Sequence, residues 1–102
     1  MKFTVRIRRR AEEDIREVRD WYDRIRPELG SCFGEELDAV FETLGTYPLI
    51  YAPIHHDIRR AMTRRFPYAV YFVAEGDRVS VLRVLHQARD PREWRRVRDA
   101  KQ

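Results

Sequence analysis

Cysteine, glycine, lysine and long apolar runs are all scarce in this chain. Its single cysteine, Cys32, allows no internal disulfide, which sets aside the disulfide-stapled secreted domains. Four scattered glycines build no glycine-rich loop of the kind that cradles a nucleotide phosphate. No apolar stretch approaches the ~20 residues that cross a bilayer, so no membrane association is expected. The first ten residues alternate apolar and charged side chains and lack the apolar core of a signal peptide. Of the 21 basic residues, all but Lys2 and Lys101 are arginine. Arginine's planar fork suits paired hydrogen bonds to phosphate or carboxylate better than lysine's point charge does.

What is present is enough for a folded domain. The 102 residues are 43% hydrophobic and 12% aromatic, which fits one domain over 1–102 with a single modest core. A cytosolic, monomer-competent protein is expected. The net charge of +4 is unevenly spread. Residues 1–10 hold five basic groups and no acid, and residues 11–46 hold eleven acids against four arginines, a balance of −7. Residues 47–102 hold twelve basic groups against six acids, a balance of +6. The basic part favours a polyanionic partner, either nucleic acid or an acidic protein segment.

The apolar pattern changes period twice. Phe3, Val5 and Ile7 alternate with polar residues, as in a half-buried strand. Ala11, Ile15, Val18, Tyr22 and Ile25 then form one stripe of an amphipathic helix, with Glu12, Glu13 and Asp14 in its first turn. Pro27 ends that helix and is placed to open a second, where Leu29, Phe33, Leu37, Val40, Phe41 and Leu44 keep helical spacing until Gly45 and Pro48 close it. The short connection predicts an antiparallel helical hairpin. Residues 47–57 read as an ordered loop. Strands are predicted near 58–64, 66–74 and 79–86, the last two joined by a turn at Glu75-Gly76-Asp77-Arg78. Asp90-Pro91 should cap a short final helix with Trp94 and Val97 on one side. The fold class is therefore α+β: a small antiparallel sheet in the order β-α-α-β-β-β, plus a C-terminal helix, with the helical hairpin on one face. The other face would be partly open.

Several residue sets could carry chemistry. Arg59, Arg60, Arg64, Arg65, Arg83 and Arg89 cluster on or beside the predicted strands. Arg83 interrupts an apolar strand, on the face of Val79, Val81 and Leu85, so it must reach an open sheet face or an acidic partner. Such a set could bind phosphate or stabilise an oxyanion, and equally could solubilise a surface or pair with the helical acids. His86 ends the last strand three residues before Arg89, where a histidine could move protons near neutral pH or simply cap a strand end. His55 and His56 point apart in extended chain and have no third ligand at a familiar spacing, so no metal site is expected. Cys32 reads as a small packing residue. Phe66, Tyr68, Val70 and Phe72 alternate like an inward face, whereas Trp94 is expected to be partly exposed and available to a partner.

Particular motifs resemble a known family. These are Ala11-x-x-Asp14-Ile15, Phe33-x-x-Glu36-Leu37, Tyr47-Pro48, Arg65-Phe66-Pro67-Tyr68-Ala69-Val70-Tyr71, and Val81-Leu82-Arg83-Val84-Leu85-His86-x-x-Arg89-Asp90-Pro91. Together they resemble the RelE/ParE superfamily of toxins from bacterial type II toxin–antitoxin pairs, over nearly the whole chain. The resemblance implies a cytoplasmic toxin that arrests growth, needs no cofactor, and is held by a co-encoded antitoxin in a hetero-oligomer. RelE-like members cut mRNA on the ribosome without a metal; ParE-like members inhibit DNA gyrase. For a nuclease, the matching residues would be His86 as acid or base, with Arg65, Arg83 and Arg89 on the phosphate. Arg59, Arg60, Arg64 and Trp94 would contact nucleic acid or target. Tyr68 stands where those nucleases place an arginine, and Trp94 or Arg95 stands near their C-terminal tyrosine. The Leu-His-x-x-Arg-Asp ending looks closer to ParE-like members. A third reading is a non-toxic, antitoxin-binding co-repressor.

Overall fold

The computed structural model describes residues 2–99, and the side chains of residues 2–95. Five strands form one sheet: β1 (Thr4–Ile7), β2 (Pro53–His55), β3 (Ile58–Met62), β4 (Tyr68–Glu75) and β5 (Arg78–His86). Three helices accompany them: α1 (Arg9–Ile25), α2 (Leu29–Leu44) and α3 (Arg92–Asp99). The strand order is β1-β5-β4-β3-β2. All pairs are antiparallel except β1 with β5, which run parallel. The helical hairpin carries the chain from β1 at one edge to β2 at the other, and the connection between the parallel strands β1 and β5 spans the hairpin and β2–β4.

The α+β class, the hairpin and the four anticipated strands are all present. The segment 47–57 departs from a plain loop: Pro48–Ile50 forms a short 3-10 helix and Pro53–His55 an edge strand. Two prolines masked that strand, because proline is tolerated at a sheet edge where its missing N–H costs nothing. Pro27 does not open α2 either. It lies in the connection, followed by Glu28 in the left-handed region at φ 75°, whose carbonyl accepts the Cys32 N–H at 3.1 Å. The Gly30 N–H in the first turn of α2 is met from the neighbouring helix, donating to Asp23 Oδ1 at 2.7 Å. The β4–β5 turn is as expected, with Gly76 at φ 61° supplying the backbone shape of a tight two-residue hairpin.

Apolar side chains divide between the two faces of the sheet. On the hairpin side, Phe33, Leu37, Val40 and Leu44 pack on Ala61, Val70, Phe72, Val79, Val81 and Val84. Tyr22, Phe33, Phe66 and Tyr68 lock the hairpin to β4 through edge-on contacts, Tyr22 and Phe66 lying 4.9 Å apart. On the far side, Ile58, Ala69, Tyr71, Val73, Leu82 and Leu85 gather around Trp94 of α3. The anticipated open face is thus half covered. Val97 lies outside the described side chains.

A bulge opposite Tyr71 and Phe72 corrects the facing of β5. Tyr71 pairs with Arg83, but Phe72 pairs with Val81, so Leu82 is the extra residue. Val79 and Val81 therefore face the hairpin while Leu85 faces α3, and Arg83 does not share one face with all three.

Candidate target-binding cleft

Arg83, just past the bulge, is buried and meets α1. The Arg83 Nε and Nη2 groups donate to Asp14 Oδ2 and Oδ1 at 2.8 and 3.0 Å, while Val84 N–H donates to Asp14 Oδ2 at 3.0 Å. Asp14 is 8% and Arg83 5% exposed. Hydrogen bonding to Asp14, against the opposing effect of burial, holds the guanidinium above its ordinary pKa. Of the two options for Arg83, the acidic partner is the one realised. Two of its nitrogens are thereby taken by Asp14 rather than presented to a ligand.

Beside this pair a cleft of about 570 Å³ opens between α1 and the end of β5. Its walls are Glu17, Asp20, Trp21 and Arg24 on one side, and Tyr68, Leu85, His86 and Arg89 on the other. Trp21 is half exposed. Ala88 N–H donates to His86 Nδ1 at 3.0 Å, so a neutral ring carries its proton on Nε2. Such a tautomer can donate from Nε2 but has no free lone pair with which to act as a base. The Tyr68 ring stands 5.4 Å from that of His86. Burial, an interaction with Tyr22 and their shared hydrogen bond raise the Tyr68 phenol, although Arg89 opposes this. Tyr68 is accordingly a neutral phenol at physiological pH.

The remaining predicted residues are dispersed. Arg89 lines the cleft and also pairs with Glu93 at 2.9 Å. Arg65 lies elsewhere, with its Nε donating to Glu36 Oε2 at 2.8 Å. Arg64 and Arg65 also give their backbone N–H groups to Glu36, at 2.9 and 3.0 Å. Arg59 donates to the Tyr51 carbonyl, and Arg60 is exposed on β3, opposite Tyr71 in register. Trp94 was expected to be partly exposed. It is 5% exposed and stacks on Tyr71, with ring centroids 5.0 Å apart and planes 14° apart. A short helix laid across the sheet buries the indole on its inner side. Among the described residues no cluster of His, Cys, Asp and Glu could hold a metal ion.

Trp21, Glu17 and Asp20 were missed from the sequence. Trp21 did leave a signal: it stands off the apolar stripe of its helix, in charged surroundings, where a large apolar ring has no packing reason to be.

The family model for the ParE toxin of the type II toxin–antitoxin system parDE matches residues 5–91. The chain belongs to the ParE toxin family. Two solved structures share its fold. The chromosomal ParDE toxin–antitoxin system from P. aeruginosa aligns with a TM-score of 0.74 at 18% identity, over 83% of this chain and 96% of that one. The RelBE2 toxin–antitoxin complex from Mycobacterium tuberculosis aligns with a TM-score of 0.57 at 22% identity, over 84% and 99%. No curated protein sequence matches the chain significantly. For a member of the ParE family, the dispersed arginines and the acid-lined cleft are the features to explain.

Proposed function

We propose that the chain is the growth-arresting toxin of a type II toxin–antitoxin pair, that it inhibits DNA gyrase, and that a cognate antitoxin protein neutralises it in a hetero-oligomer. The observation that carries the choice of target is the commitment of Arg83 to Asp14 and of Arg65 to Glu36. Metal-independent RNA cleavage needs cations at the developing phosphate charge and a positioned acid and base. Here the cations lining the His86 cleft are Arg24 and Arg89, offset by Glu17 and Asp20, while the Asp14 carboxylate is taken by Arg83. A phosphodiester would find no surplus of positive charge on those walls.

An antitoxin has places to bind. Both sheet edges, β1 and β2, end the strand order and can accept a further strand. A groove of about 640 Å³ between α2 and β3 is lined by Ala39, Val40, Tyr51 and Met62, with Glu35, Glu36, Arg64 and Arg65 also on its walls. Tyr47, Leu49 and Ile50 in the neighbouring connection are each more than half exposed. An apolar helix flanked by charge would suit these features.

The experiment adds the purified chain to a gyrase supercoiling reaction and, separately, to cell-free translation. Loss of supercoiling with translation intact is expected. Arrested translation with cut mRNA would instead establish the RelE-like activity, for which His86, Arg89 and Tyr68 in one cleft are the favouring observation. No effect in either assay would leave the co-repressor module.

A further inference from the structure

Arg6 of β1 and Arg8 just after it line neither the cleft nor the α2 groove. Thr4, Arg6 and Arg8 point to the sheet face away from the hairpin, because Val5 and Ile7 between them pack on the hairpin side. Parallel pairing of β1 with β5 sets Thr4 opposite Arg78 and Arg6 opposite Ser80. These side chains line a groove of about 470 Å³, together with Val73 and Glu75. Trp94 of α3 packs further along the same face, on Tyr71 beside Leu82 and Leu85.

We propose that this groove binds the phosphate backbone of duplex DNA. Three guanidinium groups and two hydroxyls face one carboxylate among the described residues lining it. Arg6 and Arg8 lie two residues apart on one face, roughly 7 Å along the strand, and Arg78 stands on the adjacent strand. Guanidinium forks with flanking hydroxyls are donors suited to backbone oxygens. The groove has no aromatic ring on which to stack an unpaired base, so it is not a single-strand platform. It also has no projecting helix or strand ribbon to enter a major groove, so binding is independent of sequence. The choice of DNA over an RNA duplex rests on the gyrase reading. A toxin holding the DNA on which gyrase acts would add a nucleic-acid contact to its protein contacts.

The test is fluorescence anisotropy of the full chain with a labelled random-sequence DNA duplex, titrated from 50 to 200 mM salt without gyrase. Three phosphate contacts predict a slope of log Kobs against log salt of about −2.7. Arg6→Gln with Arg78→Gln should reduce it to about −0.9, since each contact accounts for about one unit. Arg6→Lys with Arg78→Lys should retain most of the slope. Arg16→Gln, an exposed change on α1, should leave it unchanged. Absence of binding at 50 mM salt, or the same slope in the double Gln variant, overturns the proposal. Tighter binding of an RNA duplex overturns the assignment to DNA. Because gyrase is absent from the assay, failure here is distinct from failure of gyrase inhibition.

Discussion

Asp14 and Arg83 lie 69 residues apart in the sequence and make the most enclosed ion pair described here. The pair joins α1 to the bulge of β5, and Asp14 also accepts the Val84 N–H. Removing one partner leaves the other charge buried. Arg83→Met should therefore cost about 3–5 kcal/mol, a large share of the ~5–15 kcal/mol that holds a small domain together. Adding Asp14→Asn removes the stranded charge while keeping an oxygen for Val84. The double variant should be more stable than Arg83→Met alone, as read from urea midpoints at pH 7. Equal midpoints for the two variants would show that the pair is not enclosed as described. A close approach elsewhere is just as specific: a Cβ on Gly30 would lie 2.6 Å from the Arg19 carbonyl oxygen, so only glycine fits where α2 crosses α1.

At the scale of elements, α2 holds the β3–β4 connection through one carboxylate. Burial alone would raise the Glu36 pKa. The Arg65 guanidinium and the backbone N–H groups of Arg65, Arg64 and Phe66 outweigh that, and the pKa falls below the ordinary glutamate value. A carboxylate depressed in the folded state adds stability above its unfolded pKa, about 4.3, and loses it as pH falls through the lower folded value. The melting temperature of Glu36→Gln should accordingly lie furthest below wild type near pH 7. The gap should narrow below about pH 4.3; a gap constant from pH 7 to 3 would mean that Glu36 does not act as a charge. Neither this contact nor Asp14–Arg83 was legible in the sequence. Periodicity finds the helices and strands because the apolar stripe of α2 and the alternation of Phe66, Tyr68, Val70 and Phe72 are local. It cannot say which of eleven acids in residues 11–46 meets which arginine. The β5 bulge was hidden for a related reason: Val81, Leu82, Val84 and Leu85 are apolar on both faces, and Arg83 alone does not separate a slip in register from a buried ion pair. Trp94 was misplaced because a helix covering the second face is a tertiary event.

Across the whole molecule, the acidic hairpin and basic sheet are partly a means of joining two layers. Asp14 and Glu36 draw Arg83 and Arg65 against the helices, so the count of arginines overstates the cation available to a ligand. The cleft around His86 inherits the cost of that arrangement, since α1 brings Glu17 and Asp20 along with Asp14. This layout makes a definite prediction for growth. If the chain acts by holding gyrase, the imidazole of His86 transfers no proton, and His86→Ala should arrest growth as strongly as wild type. The check is colony counts after induction without antitoxin, at matched soluble protein, where the two should agree within about threefold. A fall in toxicity of about 100-fold or more, the scale of a lost general acid, would return the cleft to ribonuclease chemistry. On the gyrase reading, His86, half-buried against Tyr68 with Nδ1 bound by Ala88 N–H, would brace the end of β5.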